Sequence, residues 1–586
     1  MVDWGGRKKW KLNGLLRMLV CNFVVLFCVV VELVAPFIVN AERSQQVPML
    51  RGLSGWQVTP VVTIGEFLPS RDLNPIDAHY QLVGSMDGLG AYELDAQTVR
   101  VFVNHELRQA GYPYRLSNGT SLTGARVSYV DIDRKTRLVV SSGLAFDVVY
   151  DRQGLAVTQF HQIHSTHEKV SGLSSLCSAQ LIEGGHYGFV DTIFFTHEEI
   201  PDPIFHPYGG SLWALDVASK RLFAVPAAGR MAWENTAPLR IGGDQVALLI
   251  GDDSMPQTED AQAFGTFAMI DTPDSHVVAA PLWLFIGKKN ASLFEIRNRL
   301  PSRSNSVFHE FLNRNGLLIG DLYYFVATNG KTTVDDFHGT GAVLSGTWMK
   351  IEVLDTGKAG KPGYDAFGYK NGFTLRREAK AGKAFQFSRP EDVSTHPLVG
   401  TRAVFSSTGR DVVFPKDAWG AIYQVDVDFD SMAATLKILY DGDDAGGGQV
   451  PGPDFGIRNP DNLEWGDDGF IYVQEDNAKT IQPKFGSQSR EEASVWRLDP
   501  QDGSIQRIAR IDRSLSLPEQ ATDSQSGIIG AWESSGIVDV TDLFDTQAGE
   551  RLFLATVQAH SVRDGRIAQA NLVEGGQLVF LNKRGY

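Results

Sequence analysis

Residues 210–216 read GSLWALD, residues 420–426 read GAIYQVD, and residues 493–499 read ASVWRLD. Each stretch begins with a small residue, carries one aromatic residue among apolar ones and closes on aspartate. This is the length and punctuation of a β-strand that runs into a turn. Loose repetition of one strand pattern at distant points of a chain is typical of the blades of a β-propeller.

Similar short apolar runs occur from about residue 55 to the C-terminus, with turn-forming residues between them. The 586 residues include 59 Gly and 25 Pro, which suits many short strands better than long helices. One closed ring of sheets can hold several hundred residues in a single domain. We therefore predict an all-β fold, with one β-propeller domain of six or seven blades and inserted loops over residues 42–586. A pair of β-sandwiches is the alternative.

The first 41 residues have the composition of an export signal. Residues 7–11 contain four basic residues, residues 18–31 are almost entirely apolar, and residues 39–41 resemble a cleavage site. We predict a signal peptide over residues 1–41. An uncleaved membrane anchor is the alternative, because the apolar run is long. A cleaved signal implies export to the periplasm or the extracellular space, without stable membrane association.

The formal net charge is −15, which leaves no basic footprint for nucleic acid. An acidic balance suits a solvated exported protein or one that places carboxylates on cations. Cleavage of the signal removes Cys21 and Cys28 and leaves Cys177 as the one remaining cysteine. Cys177 is then either a small buried side chain, or a metal ligand or reactive thiol.

Acidic and amide residues collect directly after several predicted strands. In a propeller, corresponding blade ends converge on one mouth of the central channel, so carboxylates from distant parts of the chain meet there. Crowded like charges repel each other unless a cation neutralises them, and Ca²⁺ accepts six to eight oxygen ligands. Any single pair could equally cap a turn, so the prediction of a divalent-metal site depends on their number. The candidates are Glu106, Glu198, Glu199, Asp252, Asp253, Glu391, Asp461, Asn462 and Asp476.

These motifs resemble those of the PhoX-type alkaline phosphatases, a family of secreted β-propeller phosphomonoesterases. The resemblance covers most of residues 42–586, although Cys177 is followed by Ser-Ala-Gln where that family has two glycines. It is carried, in the order of the family, by residues 104–106 (NHE), Cys177, residues 198–199 (EE), 251–253 (GDD), 389–391 (RPE) and 460–462 (PDN).

The resemblance implies a centre of Fe³⁺ and Ca²⁺ ions bridged by carboxylates. It implies that Cys177 binds iron, that Glu391 bridges metals and that Arg389 holds the phosphate of the substrate. It also implies that Asp461 and Glu198 or Glu199 bind calcium, while the pair Asp252–Asp253 falls in a further acidic motif.

We therefore expect an exported, monomeric, metal-dependent phosphatase that hydrolyses small phosphate monoesters, with Arg389 and Glu391 as catalytic residues. Two alternatives remain open. A calcium-dependent lactonase or esterase could use the same scaffold, because one fold hosts many chemistries. A non-catalytic protein could use calcium only to tie its blades together.

Overall fold

The protein is described by a computed structural model with two compact units, Met1–Ala41 and Glu42–Tyr586. The predicted signal peptide lies, apart from Met1, outside the described residues. No helix within the described part of the chain is long and apolar enough to cross a membrane. The structure describes residues 1, 43–70, 79–163, 170–200, 209–254, 257–258, 277–299, 306–410, 414–476, 485–514, 517–518 and 520–585.

The second unit is built from antiparallel sheets that form six blades, which we number in chain order and describe from the innermost strand outward. Blade 1 consists of Met86–Asp95, Thr98–His105, Arg126–Asp133 and Val139–Leu144. Blade 2 consists of Leu176–Ile182, Ile193–Glu198, Leu212–Asp216, Arg221–Ala224 and the parallel edge strand Val148–Tyr150. Blade 3 consists of Trp233–Leu239, Gln245–Asp252, Trp283–Lys288, Gly320–Ala327 and Val343–Ile351.

Blades 4 to 6 complete the ring. Blade 4 consists of Pro390–Thr395, Arg402–Ser407, Ala421–Asp428 and Ala433–Asp441. The last of these strands pairs with the last strand of blade 3. Blade 5 consists of Pro460–Trp465, Ile471–Glu475, Ser494–Leu498, Ile505–Ile511 and Leu50–Gly52. Blade 6 consists of Glu533–Asp539, Arg551–Ala559, Gly575–Lys583 and Trp56–Thr63.

The ring is closed by strands from both ends of the described unit. Trp56–Thr63 pairs antiparallel with Gly575–Lys583, and Leu50–Gly52 pairs with Ile505–Ile511. The innermost strands of the six blades contact one another in cyclic order, from blade 1 through blade 6 and back to blade 1. The all-β propeller predicted from the sequence is thus confirmed, with six blades.

Both faces of most blades are covered by neighbouring blades, which explains their burial pattern. Every residue of Leu212–Asp216 and of Trp233–Leu239 is buried, whereas a strand with one wet face would alternate. The largest apolar side chains fill the space between blades, and Trp213, Trp233 and Trp532 are essentially inaccessible to solvent. This packing fixes the inner strands rigidly around the central axis.

Short elements fill the connections between these strands. The two-residue strand pairs are Leu68–Pro69 with His79–Tyr80, Tyr114–Arg115 with Ser121–Leu122, Gln257–Thr258 with Val277–Val278, and Ala280–Pro281 with Gln386–Phe387. Among the described residues, the α-helices are Leu293–Arg299, Ser306–Arg314, Gly372–Ala381, Ala445–Gly448 and Gly565–Gln569. The 3₁₀ turns in the same part of the chain are Phe160–Gln162, Pro226–Ala228, Val334–Asp336, Thr356–Lys358, Pro453–Phe455 and Thr541–Leu543.

Candidate metal centre

The innermost strands of blades 1 to 5 all begin with the same irregularity. In each, the pairing with the second strand shifts directly after the first residue, so that the second and third residues have no register partner. Such bulges redirect side chains and are frequent beside functional sites. The second residues of these five strands are Asp87, Cys177, Glu234, Glu391 and Asp461.

Blade 6 supplies its residue in a slightly different way. Glu533 is the first residue of the inner strand, and the register shift comes later, between Ser535 and Ile537. Three more acidic residues follow directly after the second strands of blades 1, 2 and 5. They are Glu106 in blade 1, Glu199 in blade 2 and Asp476 in blade 5.

These nine residues form what we call the central acidic cluster, with eight carboxylates and one thiol. It consists of four overlapping groups, and the ligand atoms of each group lie within 4.8 Å of one another. Neighbouring groups share a residue, so the cluster is continuous across all six blades. The groups are Asp87–Glu106–Cys177, Cys177–Glu199–Glu234, Glu234–Glu391–Asp461 and Asp461–Asp476–Glu533.

Burial and mutual repulsion make this cluster unfavourable as a set of bare charges. Burial, followed by the charges of Glu391 and Glu199, raises the pKa of Glu234 well above its usual range. Burial and the neighbouring carboxylates raise the pKa of the Cys177 thiol in the same way. Burial raises the pKa of Asp476 to about 7, even though Arg389 lies beside it. A bound cation removes this repulsion and favours the charged forms.

Several buried oxygen atoms in the cluster region have no hydrogen-bond donor. Oε2 of Glu234 and Oδ1 of Asn462 are both buried without a partner, and burying such atoms is costly. The other polar atom of Asn462, Nδ2, donates to Oδ1 of Asp87 at 3.1 Å and to Oγ of Ser178 at 2.7 Å. The unpaired oxygens and the carboxylates are suitable ligands for hard cations. The thiol is a suitable ligand for a softer transition metal.

Arg389 is the most heavily engaged basic side chain of the site. Its Nε and Nη2 donate to the two carboxylate oxygens of Asp253 at 2.7 and 2.9 Å. Nη1 lies 3.2 Å from Oδ2 of Asp476, and Nη2 lies 2.9 Å from Oε1 of Glu391. Its backbone φ of 66° is left-handed, a conformation that non-glycine residues adopt rarely. Arg389 is thus held against three carboxylates, two of them in the cluster.

The structure separates the members of the two acidic pairs. Glu199 lies in the cluster, whereas Oε2 of Glu198 accepts a hydrogen bond from the backbone N of Ser211 at 3.2 Å. Asp253 binds Arg389, whereas Asp252 contacts Trp283 and the buried Arg376. Of the predicted metal ligands in these two pairs, Glu198, Asp252 and Asp253 lie outside the groups that could hold a metal ion, and only Glu199 belongs to them. Successive side chains of a strand point to opposite faces, so only one residue of each pair faces the centre.

Three members of the cluster were missed in the sequence. Asp87, Glu234 and Glu533 stand at the start of inner strands, where no second acidic residue draws attention to them. A signal was nevertheless present, because residues 232–234 and residues 531–533 both read AWE. The repeat marks the starts of the inner strands of blades 3 and 6.

One imidazole supports the edge of the cluster. Nε2 of His560 lies 3.1 Å from Oε2 of Glu533, and Nδ1 lies 3.0 Å from Oε1 of Glu574. Burial by itself disfavours the charged ring, but Glu574 and Glu533 together raise the pKa of His560 well above its usual value. Arg563 holds the other oxygen of Glu574 at 2.9 Å. Glu533 is therefore held in place by His560, which is itself held by Glu574.

Arg108 borders the cluster at Glu106 and Glu199, one residue from each of the two groups that share Cys177. Its Nη2 contacts Oε1 of Glu106 at 3.2 Å and also Oε2 of Glu199. Its Nε donates to Oγ of Ser175 at 3.0 Å. The Ser175 hydroxyl lies 3.2 Å from both Oε1 of Glu106 and Oε2 of Glu199. Ser175 and Arg108 thus connect two carboxylates that belong to different groups of the cluster.

The fold of this chain is similar to that of a solved structure. No protein-family model and no curated protein matches the chain. The structure of Pseudomonas fluorescens PhoX in complex with vanadate, a transition-state analogue, superposes with a TM-score of 0.57 at 14% identity. The match covers 93% of this chain and 97% of that one.

Two further similarities are weaker. Trypanosoma rangeli sialidase in complex with 2,3-difluorosialic acid gives a TM-score of 0.28 at 9% identity, over 91% of this chain and 59% of that one. A Trichoderma reesei carbohydrate-active enzyme of family AA12 gives 0.29 at 10% identity, over 81% and 100%. Neither is similar enough to support an argument. The chain therefore has the β-propeller fold of PhoX, as the resemblance of its short motifs predicted.

Proposed function

We propose that this protein is a metal-dependent phosphatase that hydrolyses small phosphate monoesters. The observation that carries the proposal is the central acidic cluster, in which all six blades present carboxylates or a thiol to one continuous set of groups. The PhoX-like fold supports a phosphatase-like metal enzyme. The buried charge of the cluster supports cations as its partners.

The donor chemistry divides the cluster into two parts. The oxygen-only groups around Glu391, Asp461 and Glu533 suit Ca²⁺, which prefers carboxylate and amide oxygens. Cys177, with Glu199 and Glu234, suits a transition metal such as Fe³⁺, because a thiolate is a soft ligand. Bound cations would supply Lewis acidity and neutralise the negative oxygens of a phosphoryl group.

The protein's own side chains would orient the substrate and complement its charge. The guanidinium of Arg389 contacts two cluster carboxylates, Glu391 and Asp476. It could therefore also contact a phosphate group that binds beside them. A fixed cation at that place stabilises negative charge as it develops on the phosphoryl oxygens. Asp253 holds the guanidinium by two hydrogen bonds and would keep it oriented during the reaction.

A structural role for the cations is the second candidate. It is favoured by the same cluster, because one set of ions would tie together the inner strands of six blades. In that case, removal of the cations lowers the melting temperature although no turnover exists to be lost. A lactonase or esterase would instead act on substrates that carry no phosphate.

The test is hydrolysis of p-nitrophenyl phosphate by protein reconstituted with calcium and iron. We expect turnover that depends on both metals and falls by at least about 100-fold in Glu391→Ala, the size of a lost electrostatic contribution to the transition state. Glu391→Gln, which keeps the side-chain shape, is the matched control for folding. The proposal would be refuted if the wild-type protein were no more active than Glu391→Ala.

We also propose that the protein is exported, because residues 1–41 have the composition of a signal peptide. N-terminal sequencing of protein recovered outside the cytoplasm tests this. A mature chain that begins near residue 42 is expected, and full-length protein confined to the cytoplasm would contradict it.

A further inference from the structure

Recognition of a phosphate dianion requires a cation that the substrate can reach. Three basic side chains form ion pairs with the central acidic cluster within the described part of the chain: Arg389, His560 and Arg108. Their side chains are 14%, 17% and 48% exposed, respectively. Arg108 is therefore the most accessible of the three to a substrate that arrives from solvent.

The position of Arg108 is well defined despite this exposure. It follows Leu107, which is fully buried, and the backbone N of Ser175 donates to the carbonyl oxygen of Leu107 at 3.0 Å. The Ser175 hydroxyl accepts a hydrogen bond from Nε of Arg108 at 3.0 Å. The stem of the arginine is thus anchored to the segment that leads directly into Cys177. Its guanidinium lies between the interior of the cluster and solvent.

The carboxylates beside Arg108 are themselves candidates for cation binding. Glu106 belongs to the group with Asp87 and Cys177, and Glu199 belongs to the group with Cys177 and Glu234. A cation on these groups would neutralise the charge that now attracts the guanidinium. The guanidinium could then turn its planar pair of N–H donors to an incoming phosphate, a geometry that arginine matches better than lysine.

We propose that Arg108 is the phosphate-recognition residue at the entrance of the metal centre and selects phosphomonoesters over uncharged esters. This inference rests on the proposed function. It divides the work between two arginines. Arg108 contributes to substrate affinity, whereas Arg389, fixed by Asp253, acts on charge that develops during the reaction.

The experiment compares Arg108→Gln and Arg108→Lys with the wild-type protein, all loaded with calcium and iron. Arg137→Gln is the matched control, because Arg137 pairs with the similarly buried Glu550 at 2.8 Å on the outer edge of blade 1. KM and kcat are measured with p-nitrophenyl phosphate. Affinity for inorganic phosphate is measured by calorimetry, and metal content is determined by elemental analysis.

For Arg108→Gln, we expect KM and the Kd for phosphate to rise about 10- to 100-fold, the range for loss of charge-assisted hydrogen bonds. We expect kcat to change by less than about three-fold, because uniform binding energy is lost. Arg108→Lys should recover part of the affinity, since it keeps the charge but not the fork. Arg137→Gln should match the wild type.

The other outcomes distinguish failure of the role of Arg108 from failure of the proposed phosphatase function. Unchanged phosphate affinity in Arg108→Gln, with an active wild-type enzyme, overturns the role of Arg108 and leaves the phosphatase intact. Loss of metal in Arg108→Gln overturns it too, because the arginine would then act through Glu106 and Glu199. A wild type that binds phosphate through Arg108 without hydrolysing esters refutes the phosphatase and leaves Arg108 with phosphate binding alone. A metal-loaded wild type that neither binds phosphate nor hydrolyses esters refutes both.

Discussion

Asn462 donates a hydrogen bond from Nδ2 to Oδ1 of Asp87 at 3.1 Å, although 375 residues separate the two positions. Asp87 stands at the start of blade 1, and Asn462 stands at the start of blade 5. The contact shows how the inner strands bring remote residues to one point on the propeller axis. It also leaves Oδ1 of Asn462 as a buried acceptor without a donor, beside the carboxylates of the central acidic cluster.

Removal of cations should destabilise the fold. The buried carboxylates of the cluster repel one another, so a cation that binds the native state stabilises it by mass action. The stabilisation is about 2.7 kcal/mol when the free cation is 100-fold above its Kd. We expect EDTA to lower Tm in a differential scanning experiment and added Ca²⁺ to restore it. Identical melting curves for loaded protein and for protein that elemental analysis shows to be metal-free would contradict this stabilisation.

Cys177→Ser should separate the two kinds of metal. A serine oxygen is a poor substitute for a thiolate toward a transition metal, whereas the oxygen-only groups keep their ligands. We expect elemental analysis of protein purified without chelator to show calcium retained and iron reduced to background. Wild-type protein from the same preparation is the control. Full retention of iron by a folded variant would remove Cys177 from the metal centre.

Glu199→Gln and Glu198→Gln form a matched pair of adjacent substitutions. Both side chains are buried, but only Glu199 belongs to the cluster. We expect Glu199→Gln to weaken cation affinity by at least about 10-fold, the lower limit for changes around a metal site. Glu198→Gln should leave affinity unchanged. Titration of metal-free protein with iron measures both, and equal effects would contradict the assignment of opposite faces.

Asp417→Asn should stabilise the protein at high pH. Burial, followed by the charges of Asp443 and Asp441, raises the pKa of Asp417 well above its usual range, and its Oδ2 has no hydrogen-bond donor. The folded state therefore holds the proton more tightly than the unfolded state. Above the unfolded pKa, stability falls as pH rises until the folded pKa is passed. Asparagine removes this penalty, which is of the order of 1–3 kcal/mol for a buried unpaired group.

The measurement for Asp417→Asn is Tm at pH 4 and pH 8 in the presence of EDTA. The variant should gain over the wild type at pH 8 and little at pH 4. Asp430→Asn, at an exposed position of the same blade, is the control and should differ little at either pH. A variant that is less stable at pH 8 would show that the carboxylate is used in its charged form.

Gly251→Ala should disturb the metal centre through the backbone. A Cβ atom at Gly251 would lie 2.0 Å from the carbonyl oxygen of Glu391, which cannot move without shifting the start of blade 4. We expect a loss of about 1–3 kcal/mol, as for overpacked sites, together with weaker cation binding. Gly242→Ala, where nothing lies within 4 Å, is the control. Equal stability of the two variants in urea unfolding would contradict the close approach.

Part of the site was predictable because it is written in short local motifs. Glu391, Asp461 and Cys177 were singled out from their neighbours in the chain, and the structure brings all three into the cluster. The pairs Glu198–Glu199 and Asp252–Asp253 could not be resolved in this way. Which member of each pair faces the propeller axis depends on the register of the strand. A register shift of one residue would turn the other member toward the axis.

The sequence by itself determined the fold class, because short apolar runs punctuated by glycine, proline and aspartate cannot form long helices. It also determined that acidic residues follow strands at many places. Only the tertiary structure decided that there are six blades, that bulges turn Asp87 and Glu234 toward the same axis as Cys177, and that the inner strand of blade 6 begins there with Glu533. The physical reason is that a ring closes through pairing between distant strands, and side chains meet at its centre through register and bulges that no local pattern specifies.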